Sequence, residues 1–161
     1  MEKSFIINLQ KSPKIVFTLM NIISSPFHLQ FYAIILMILF YENLINFEQL
    51  VLFITGLIIV GILKVIVRRE RPYQEFPEII NYEKLKVDYF SFPSGHTFNA
   101  FLLFYILREN GIINNYYKII PYLVGISRVV LGVHYPSDVI AGALLAKIMV
   151  SIYYRKSTID I

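Results

Sequence analysis

Residues 47–67 read FEQLVLFITGLIIVGILKVIV, and between Glu48 and Lys64 this run carries no formal charge. A helix needs about 20 predominantly apolar residues to cross the hydrocarbon core of a bilayer. The run therefore predicts a transmembrane helix. The charge near its end, Lys64, is informative because an ionisable side chain at membrane depth usually marks a functional site.

The composition of the whole chain agrees with a membrane protein. Hydrophobic residues make up 57% of the 161 residues, charged residues make up 16%, and the mean hydropathy is +0.60. About a quarter of the residues of a soluble domain are charged, so much of this surface faces something other than water. The length suits a single domain, 1–161.

The charge and the cysteine content limit the ligands. A net charge of +4 and a pI of about 9.2 favour anionic lipid headgroups or a phosphate-bearing substrate. The basic residues form no single run, so we expect no nucleic-acid partner. The chain has no cysteine, which excludes disulfides and thiolate metal sites.

Further apolar runs predict an all-α, polytopic transmembrane bundle. We expect five spans, at about Phe27–Tyr41, Phe47–Val67, Gly95–Leu107, Tyr116–Val133 and Ser137–Tyr154. The segment Ser4–Ile23 contains Lys11, Pro13 and Lys14, and we expect it to form an amphipathic helix in the membrane interface. We divide it from the first span at 24–26, Ser-Ser-Pro. If 4–25 crosses the bilayer instead, the spans number six.

Three polar clusters lie at the ends of these runs. They are Lys64, six residues, Arg71-Pro72; then Pro93-Ser94-Gly95-His96; then Ser127-Arg128, five residues, His134, three residues, Asp138. Successive spans cross the membrane in opposite directions. One membrane face therefore carries the end of the second span, the start of the third, the end of the fourth and the start of the fifth. We expect the clusters to meet at this face.

The basic residues of these clusters suit a phosphate group, a compact anion with several acceptor oxygens. Arg71 and Arg128 can each offer two parallel N–H donors, and Lys64 a point charge. Lys64 and Arg71 are seven residues apart, so on one helix they would face the same way. Ser94 and Gly95 precede a helix, where free N–H groups and the helix dipole favour an anion.

The remaining residues suit covalent phosphoryl transfer. Of the two histidines His96 and His134, one can act as a nucleophile and the other as a proton donor. Asp138 can hold one imidazole in the tautomer that attacks.

The three clusters, in this order, resemble the signature of the type 2 phosphatidic-acid phosphatase superfamily, which includes bacterial lipid phosphatases, soluble acid phosphatases and vanadium haloperoxidases. The resemblance spans 64–138, just under half of the chain. It implies that His134 attacks phosphorus and forms a phosphohistidine, that Asp138 orients His134, and that His96 protonates the leaving oxygen. It implies that the phosphoryl oxygens are held by Lys64, Arg71, Ser94, Gly95 and Arg128. No metal and no cofactor are implied. Many membrane members have six spans, which puts the count of five in question.

Taken one at a time, these residues have ordinary structural explanations. Lys64 alone resembles a lysine whose ammonium reaches the interface from a span end, and Asp138 alone resembles a helix N-cap. Their joint spacing on one face favours the functional interpretation. We interpret Arg68 and Arg69 as basic residues at a span end, outside the site, and His28 as an interfacial residue without a partner.

The sequence therefore predicts a metal-independent lipid phosphatase or diphosphatase in a membrane. One alternative is a non-enzymatic membrane protein that binds a lipid phosphate, although binding alone would not need His96, His134 and Asp138. A haloperoxidase-like oxidase is disfavoured by the small membrane scaffold. We expect the partners to be the lipid substrate and the bilayer, and no obligate protein partner.

Three lipids fit such a site: undecaprenyl diphosphate, phosphatidylglycerophosphate and phosphatidate. Abundant Ile, Asn and Lys are typical of an AT-rich bacterial genome, which favours a polyprenyl diphosphate of cell-envelope synthesis, undecaprenyl diphosphate. We expect the protein in the bacterial plasma membrane.

Two arguments about the orientation disagree. Outside the spans and the site, seven basic residues lie on the site face (Lys3, Lys11, Lys14, Arg68, Arg69, Lys84, Lys86) and four on the other (Arg108, Lys118, Arg155, Lys156). The positive-inside rule would then place the site in the cytoplasm. The resemblance to bacterial enzymes that recycle lipid carriers implies an extracytoplasmic site. We favour the outward site, with Arg155 and Lys156 inside.

Overall fold

The protein is all-helical over the part of the chain that the structure, a computed structural model, describes: the backbone of 1–159 and the side chains of 1–155. Its α-helices are α1 Glu2–Leu9, α2 Lys14–Ser24, α3 Leu29–Tyr41, α4 Phe47–Val67, α5 Pro72–Glu75, α6 Gly95–Glu109, α7 Ile119–Val130 and α8 Pro136–Ile159. Short 3₁₀ helices occupy Ser25–Phe27 and Asn115–Lys118. No strand occurs within 1–159. The predicted all-α class is confirmed.

Helix α4 has the bounds that its apolar run predicts. It begins in a capping box, in which Asn46 accepts a hydrogen bond from the Gln49 N–H and the Gln49 side chain accepts one from Asn46, so that two free N–H groups of the first turn are satisfied. It ends where Arg68 adopts a left-handed conformation, with φ of 53°. Lys64 therefore lies in the last turn of the helix.

Helix α6 forms the centre of the bundle, packed against α4, α7 and α8. Phe98, Leu102 and Ile106 on it are fully buried. Small residues allow the close approach: a Cβ at Gly56 of α4 would lie 2.4 Å from the Phe98 ring, and one at Gly142 of α8 would lie 2.6 Å from the backbone oxygen of Ser94. This packing holds the start of α6, which carries His96, inside the bundle.

Among the described residues, two helical segments are each long and apolar enough to cross a bilayer, Phe47–Glu75 and Pro136–Arg155. A third is added if the bent pair 14–27 and 29–41, inclined by 52°, counts as one span. Helices α6 and α7, with 15 and 12 residues, are shorter than the about 20 residues that a span needs. The membrane character agrees with the prediction, whereas the count of five spans is not confirmed.

The outer face of α4 is apolar at helical spacing. Ile54, Ile58, Ile62 and Ile66 lie four residues apart, and each is about half exposed or more. An apolar stripe of this kind suits contact with lipid rather than with water.

The N-terminal segment differs from the single helix predicted for Ser4–Ile23. It forms α1 and α2, separated before Pro13, whose ring and missing N–H break a helix. Helix α2 packs on α7, with Phe17 only 6% exposed and its ring stacked 3.8 Å from that of Tyr82. The division predicted at 24–26 is present as the bend between α2 and α3.

Candidate active site

A cavity of about 360 Å³ lies between the end of α4 and the start of α6. Its lining residues are Phe27, His28, Leu29, Leu57, Val60, Gly61, Lys64, Arg71, Lys86, Val87, Asp88, Gly95, His96, Asn99 and His134. Five residues of the predicted site are among them: Lys64, Arg71, Gly95, His96 and His134. Alternating chain direction thus brings the polar ends of separate helices together, as the spacing of the clusters predicts.

His134 lies in the loop between α7 and α8, with its two ring nitrogens in different surroundings. Nδ1 is 3.5 Å from Oδ2 of Asp138, and Nε2 is 3.3 Å from Nη1 of Arg71. Burial lowers the pKa of His134 well below its usual range, and the charges of Arg71 and Lys64 lower it further. The imidazole is therefore neutral at pH 7. With Nδ1 directed at a carboxylate, the lone pair belongs on Nε2, beside the cations.

Asp138, in the first turn of α8, is fully buried and has partners of its own. Its Oδ1 accepts a hydrogen bond from Nη1 of Arg69 at 2.9 Å, and its Oδ2 accepts one from the Tyr135 N–H at 2.9 Å. The Arg69 guanidinium also lies 3.7 Å from the centre of the Tyr135 ring and pairs with Glu2. Arg69 therefore does not line the cavity, as interpreted, but it pairs with a residue of the predicted site. Arg68 is exposed, as interpreted.

Lys64 and Arg71 do not lie on one helix, because α4 ends at Val67. They are joined instead through the loop between α5 and α6. The Lys64 ammonium donates to the Phe90 backbone oxygen at 2.7 Å and to Oδ1 of Asp88 at 3.2 Å. The same Oδ1 accepts a hydrogen bond from Nη2 of Arg71 at 2.6 Å. One carboxylate thus bridges both cations, a contact that the spacing of the basic residues alone does not predict.

Ser94 and Gly95 contribute in different ways. The Ser94 side chain is fully buried and caps α6, accepting a hydrogen bond from the Thr97 N–H at 3.4 Å. It is not among the lining residues of the cavity, whereas Gly95 and His96 are. The start of this 15-residue helix therefore faces the cavity, where its dipole favours an anion. The serine hydroxyl acts in the structure as a helix cap.

Arg128 is, like Ser94, a predicted phosphate ligand that does not line the cavity. Its guanidinium is fully buried, pairs with Oε2 of Glu83 at 2.6 Å and donates to Oγ of Ser24 at 2.8 Å. Burial alone would raise the pKa of the Glu83 carboxyl, but the hydrogen bond from His28 and the charge of Arg128 lower it to about 2. Glu83 is therefore ionised at pH 7 and neutralises Arg128.

His28 is a site residue, and its interpretation as interfacial is wrong. It is 6% exposed, and its ring stands edge-on against that of His96, with the ring centres 4.2 Å apart. Its Nε2 lies 3.5 Å from Oε1 of Glu83. The available signal in the sequence was a polar residue two positions after the Ser-Ser-Pro break, which is where a bent chain can turn a side chain inward.

Within the described residues, no group of three or more His, Asp or Glu side chains is arranged to hold a metal ion. Positive charge at the cavity comes from the buried Lys64 and Arg71 and from the exposed Lys86. A metal-independent reaction therefore stays a prediction, which a chelator can test.

Comparison with protein families gives a match over most of the chain. The model of the PAP2 superfamily matches residues 47–159. The chain is 42% identical over 80 residues to the bacitracin transport permease protein BcrC of Bacillus licheniformis, covering 45% of this chain and 37% of that protein. It is 31% identical over 113 residues to phosphatidylglycerophosphatase B of Bacillus subtilis strain 168, covering 63% and 52%. The matches thus span about half of these relatives or less.

Two solved structures share the fold. The transmembrane PAP2-type phosphatidylglycerolphosphate phosphatase of Bacillus subtilis superposes with a TM-score of 0.71 at 24% identity, covering 95% of this chain and 86% of that one. Aquifex aeolicus LpxE superposes with a TM-score of 0.78 at 21% identity, covering 94% and 93%. The helical arrangement described above is therefore the fold of these two solved structures.

Proposed function

This chain belongs to the PAP2 superfamily, and from that premise we propose that it is a membrane phosphatase that removes phosphate from a lipid phosphate or diphosphate. The observation that carries the proposal is the position of His134 in the cavity. Its Nε2 lies beside Arg71, and its Nδ1 lies towards the buried carboxylate of Asp138. A neutral imidazole held in this way is an activated nucleophile next to an anion-binding group.

The mechanism follows from these contacts. Nε2 of His134 attacks the terminal phosphorus, and the bond from this phosphorus to the leaving oxygen breaks. That oxygen belongs to the lipid alcohol in a monophosphate and to the lipid phosphate in a diphosphate, and His96 gives its proton to it. A water molecule then attacks the phosphohistidine, passes a proton to His96 and releases inorganic phosphate and free His134. Lys64 and Arg71 stabilise the charge on the phosphoryl oxygens, and Asp138 holds the Nδ1 proton throughout.

The walls of the cavity support a lipid as the substrate. Besides the polar residues, its lining includes Phe27, Leu29, Leu57 and Val60. Gly61 adds space, because a Cβ at this position would meet no other atom within 4 Å. A phosphate headgroup at the polar end would therefore leave its hydrocarbon chain against apolar side chains, on the side where α4 meets lipid.

Among the lipids, our first candidate is undecaprenyl diphosphate, on the composition argument given above. Phosphatidylglycerophosphate is the second, supported by the name of the Bacillus subtilis relative, and phosphatidate is the third. A panel of the three with the purified protein in detergent, read as inorganic phosphate released, tests this order. A higher kcat/KM for either glycerolipid would overturn it.

The panel also tests whether the protein is an enzyme. We expect the wild type to release phosphate and His134→Ala to release none while keeping the circular dichroism spectrum of the wild type. We also expect acid-labile, base-stable phosphate on His134 during turnover. A protein that binds all three lipids but releases phosphate from none would instead be the non-enzymatic lipid-phosphate binder.

For the orientation we propose an extracytoplasmic site. A cysteine in place of the exposed Lys84, in the loop beside the site, should react with an impermeant thiol reagent in intact cells. A cysteine in place of Tyr116, which is 87% exposed at the opposite end of α6, should react only after lysis. The reverse pattern would place the site in the cytoplasm. Arg155 is the last residue with a described side chain, and the Lys156 side chain lies outside that range.

A further inference from the structure

Asp88 occupies the position at which a phosphoryl group would meet Lys64 and Arg71, the two buried cations of the cavity. Its Oδ1 lies 3.2 Å from the Lys64 ammonium and 2.6 Å from Nη2 of Arg71. Each cation presents a donor to this one oxygen, and phosphoryl oxygens are acceptors for the same donors. The carboxylate and a phosphoryl oxygen cannot both take this position.

The Asp88 side chain is the part of this arrangement that can leave. It is 60% exposed, whereas the side chains of Lys64 and Arg71 are 11% and 2% exposed. The Asp88 carboxylate can therefore rotate towards solvent without the movement of a buried charged group. The two cations keep their buried positions while their donors become free.

The loop around Asp88 is held by backbone contacts that do not involve the carboxylate. Nε of Arg71 donates to the backbone oxygen of Asp88 at 2.7 Å, and the Lys64 ammonium donates to that of Phe90 at 2.7 Å. These bonds persist when the side chain turns away. A change of the carboxylate to an amide is therefore expected to leave the loop in place.

We propose that Asp88 competes with the phosphoryl group for Lys64 and Arg71, and that its return displaces inorganic phosphate after hydrolysis. This inference rests on the proposed function, in which the cavity receives a phosphoryl group. Two cations that bind a phosphoryl group tightly also retain the phosphate product, and product release limits many enzymes. An internal carboxylate weakens the binding of product, so Asp88 sets the balance between substrate affinity and turnover.

The test is equilibrium binding of orthophosphate and of orthovanadate to the full chain in detergent, which requires no turnover. Asp88→Asn removes the competing charge, and we expect both anions to bind about tenfold more tightly, a factor equivalent to about 1.4 kcal/mol. In the lipid assay, KM and kcat should both fall, because substrate and product are each held more strongly. Asp88→Ser should behave in the same way, and it serves as the second variant if the Asp88→Asn protein fails to fold.

The matched control is Glu78→Gln, in the same loop. The Glu78 carboxylate is 58% exposed and pairs with Lys3, so this change removes an equal charge away from the cavity. Its phosphate affinity should equal that of the wild type.

Unchanged or weaker phosphate binding in folded Asp88→Asn and Asp88→Ser would overturn the inference, because Asp88 would then organise the cations rather than compete for them. Absence of measurable binding in the wild type and both variants would overturn it as well. Failure of the proposed function has a different signature: the wild type would release no phosphate from any lipid, whatever the anion binding shows.

Discussion

Arg69 and Asp138 form a hydrogen-bonded ion pair with a distance of 2.9 Å between Nη1 and Oδ1. The pair joins the chain just after α4 to the first turn of α8. Asp138 is fully buried and approaches Nδ1 of His134 with its other oxygen. A buried carboxylate keeps its position and charge only when it is paired. Arg69 therefore positions the group that orients the proposed nucleophile, although it does not line the cavity.

Arg69→Gln should lower kcat with little change in KM, because Arg69 does not line the cavity. We expect a loss on the order of tenfold or more, consistent with the loss of a hydrogen bond between charged groups. Arg68→Gln is the matched control, since Arg68 is exposed and donates a hydrogen bond to the backbone oxygen of Val65. Steady-state kinetics on the preferred lipid measure both. An equal effect of the two changes would contradict the positioning role of Arg69.

The pH dependence of kcat/KM should reflect the lowered pKa of His134. Since burial and the charges of Arg71 and Lys64 place this pKa well below 6.5, the neutral nucleophile persists as the pH falls through 6.5. The loss of activity due to protonation of His134 should therefore occur only at lower pH. The measurement is the kcat/KM profile from pH 4 to pH 8 in detergent. A loss of activity that is centred at or above pH 6.5 and is caused by protonation of His134 would contradict the lowered pKa of this residue.

Gly61→Leu should separate lipid substrates from soluble ones. The added side chain enters the apolar side of the cavity, so hydrolysis of a long-chain lipid phosphate should fall by about tenfold or more, a barrier change of about 1.4 kcal/mol. Hydrolysis of a short, soluble phosphate ester should not change. Ile62→Phe, which adds bulk on the exposed outer face of α4, is the control. Equal losses on both substrates would mean that Gly61 is needed for packing.

Glu83→Gln should destabilise the protein, because it leaves Arg128 buried without its counter-charge. Removal of one partner of a buried pair costs about 3–5 kcal/mol, and we expect a lower thermal unfolding midpoint at pH 7. Glu78→Gln should have no such effect.

The same pair should make wild-type stability depend on acid. The folded-state pKa of Glu83, about 2, lies below its ordinary value of 4.5. The stabilisation is therefore complete above pH 4.5 and is lost as the pH falls towards 2. Unfolding midpoints across this range should decline less in Glu83→Gln than in the wild type, and parallel declines would contradict the assignment.

Activity should survive excess EDTA, because Lys64 and Arg71 supply positive charge at the cavity. Orthovanadate should inhibit as an analogue of the transferring phosphoryl group. Phosphate release with and without chelator is the measurement. Complete loss with EDTA and recovery on addition of Mg²⁺ would contradict a metal-independent reaction.

Local signals in the sequence were sufficient to predict those helices and bends for which the signal is strong. The run 47–67 forms α4 with its predicted bounds, and the Ser-Ser-Pro break at 24–26 forms the bend before α3. Hydropathy, caps and prolines act through neighbours in the chain, so a linear reading captures them. The interpretation of Ser4–Ile23 as a single helix missed such a signal, because α1 ends at Leu9 and α2 begins directly after Pro13.

Residue identity and spacing were enough to recognise the family and to select the polar clusters, because the alternation of apolar runs sends their ends to one side. The side-chain pairs within the site could be identified only from the folded structure. Arg128 meets Glu83 and Ser24, His28 meets His96, and one carboxylate of the loop joins Lys64 to Arg71. These contacts depend on the irregular loop between α5 and α6 and on the docking of α2 against α7. Burial of apolar area adds up residue by residue and can be estimated from composition, whereas the partner of a buried charge is fixed by the positions of distant segments in space.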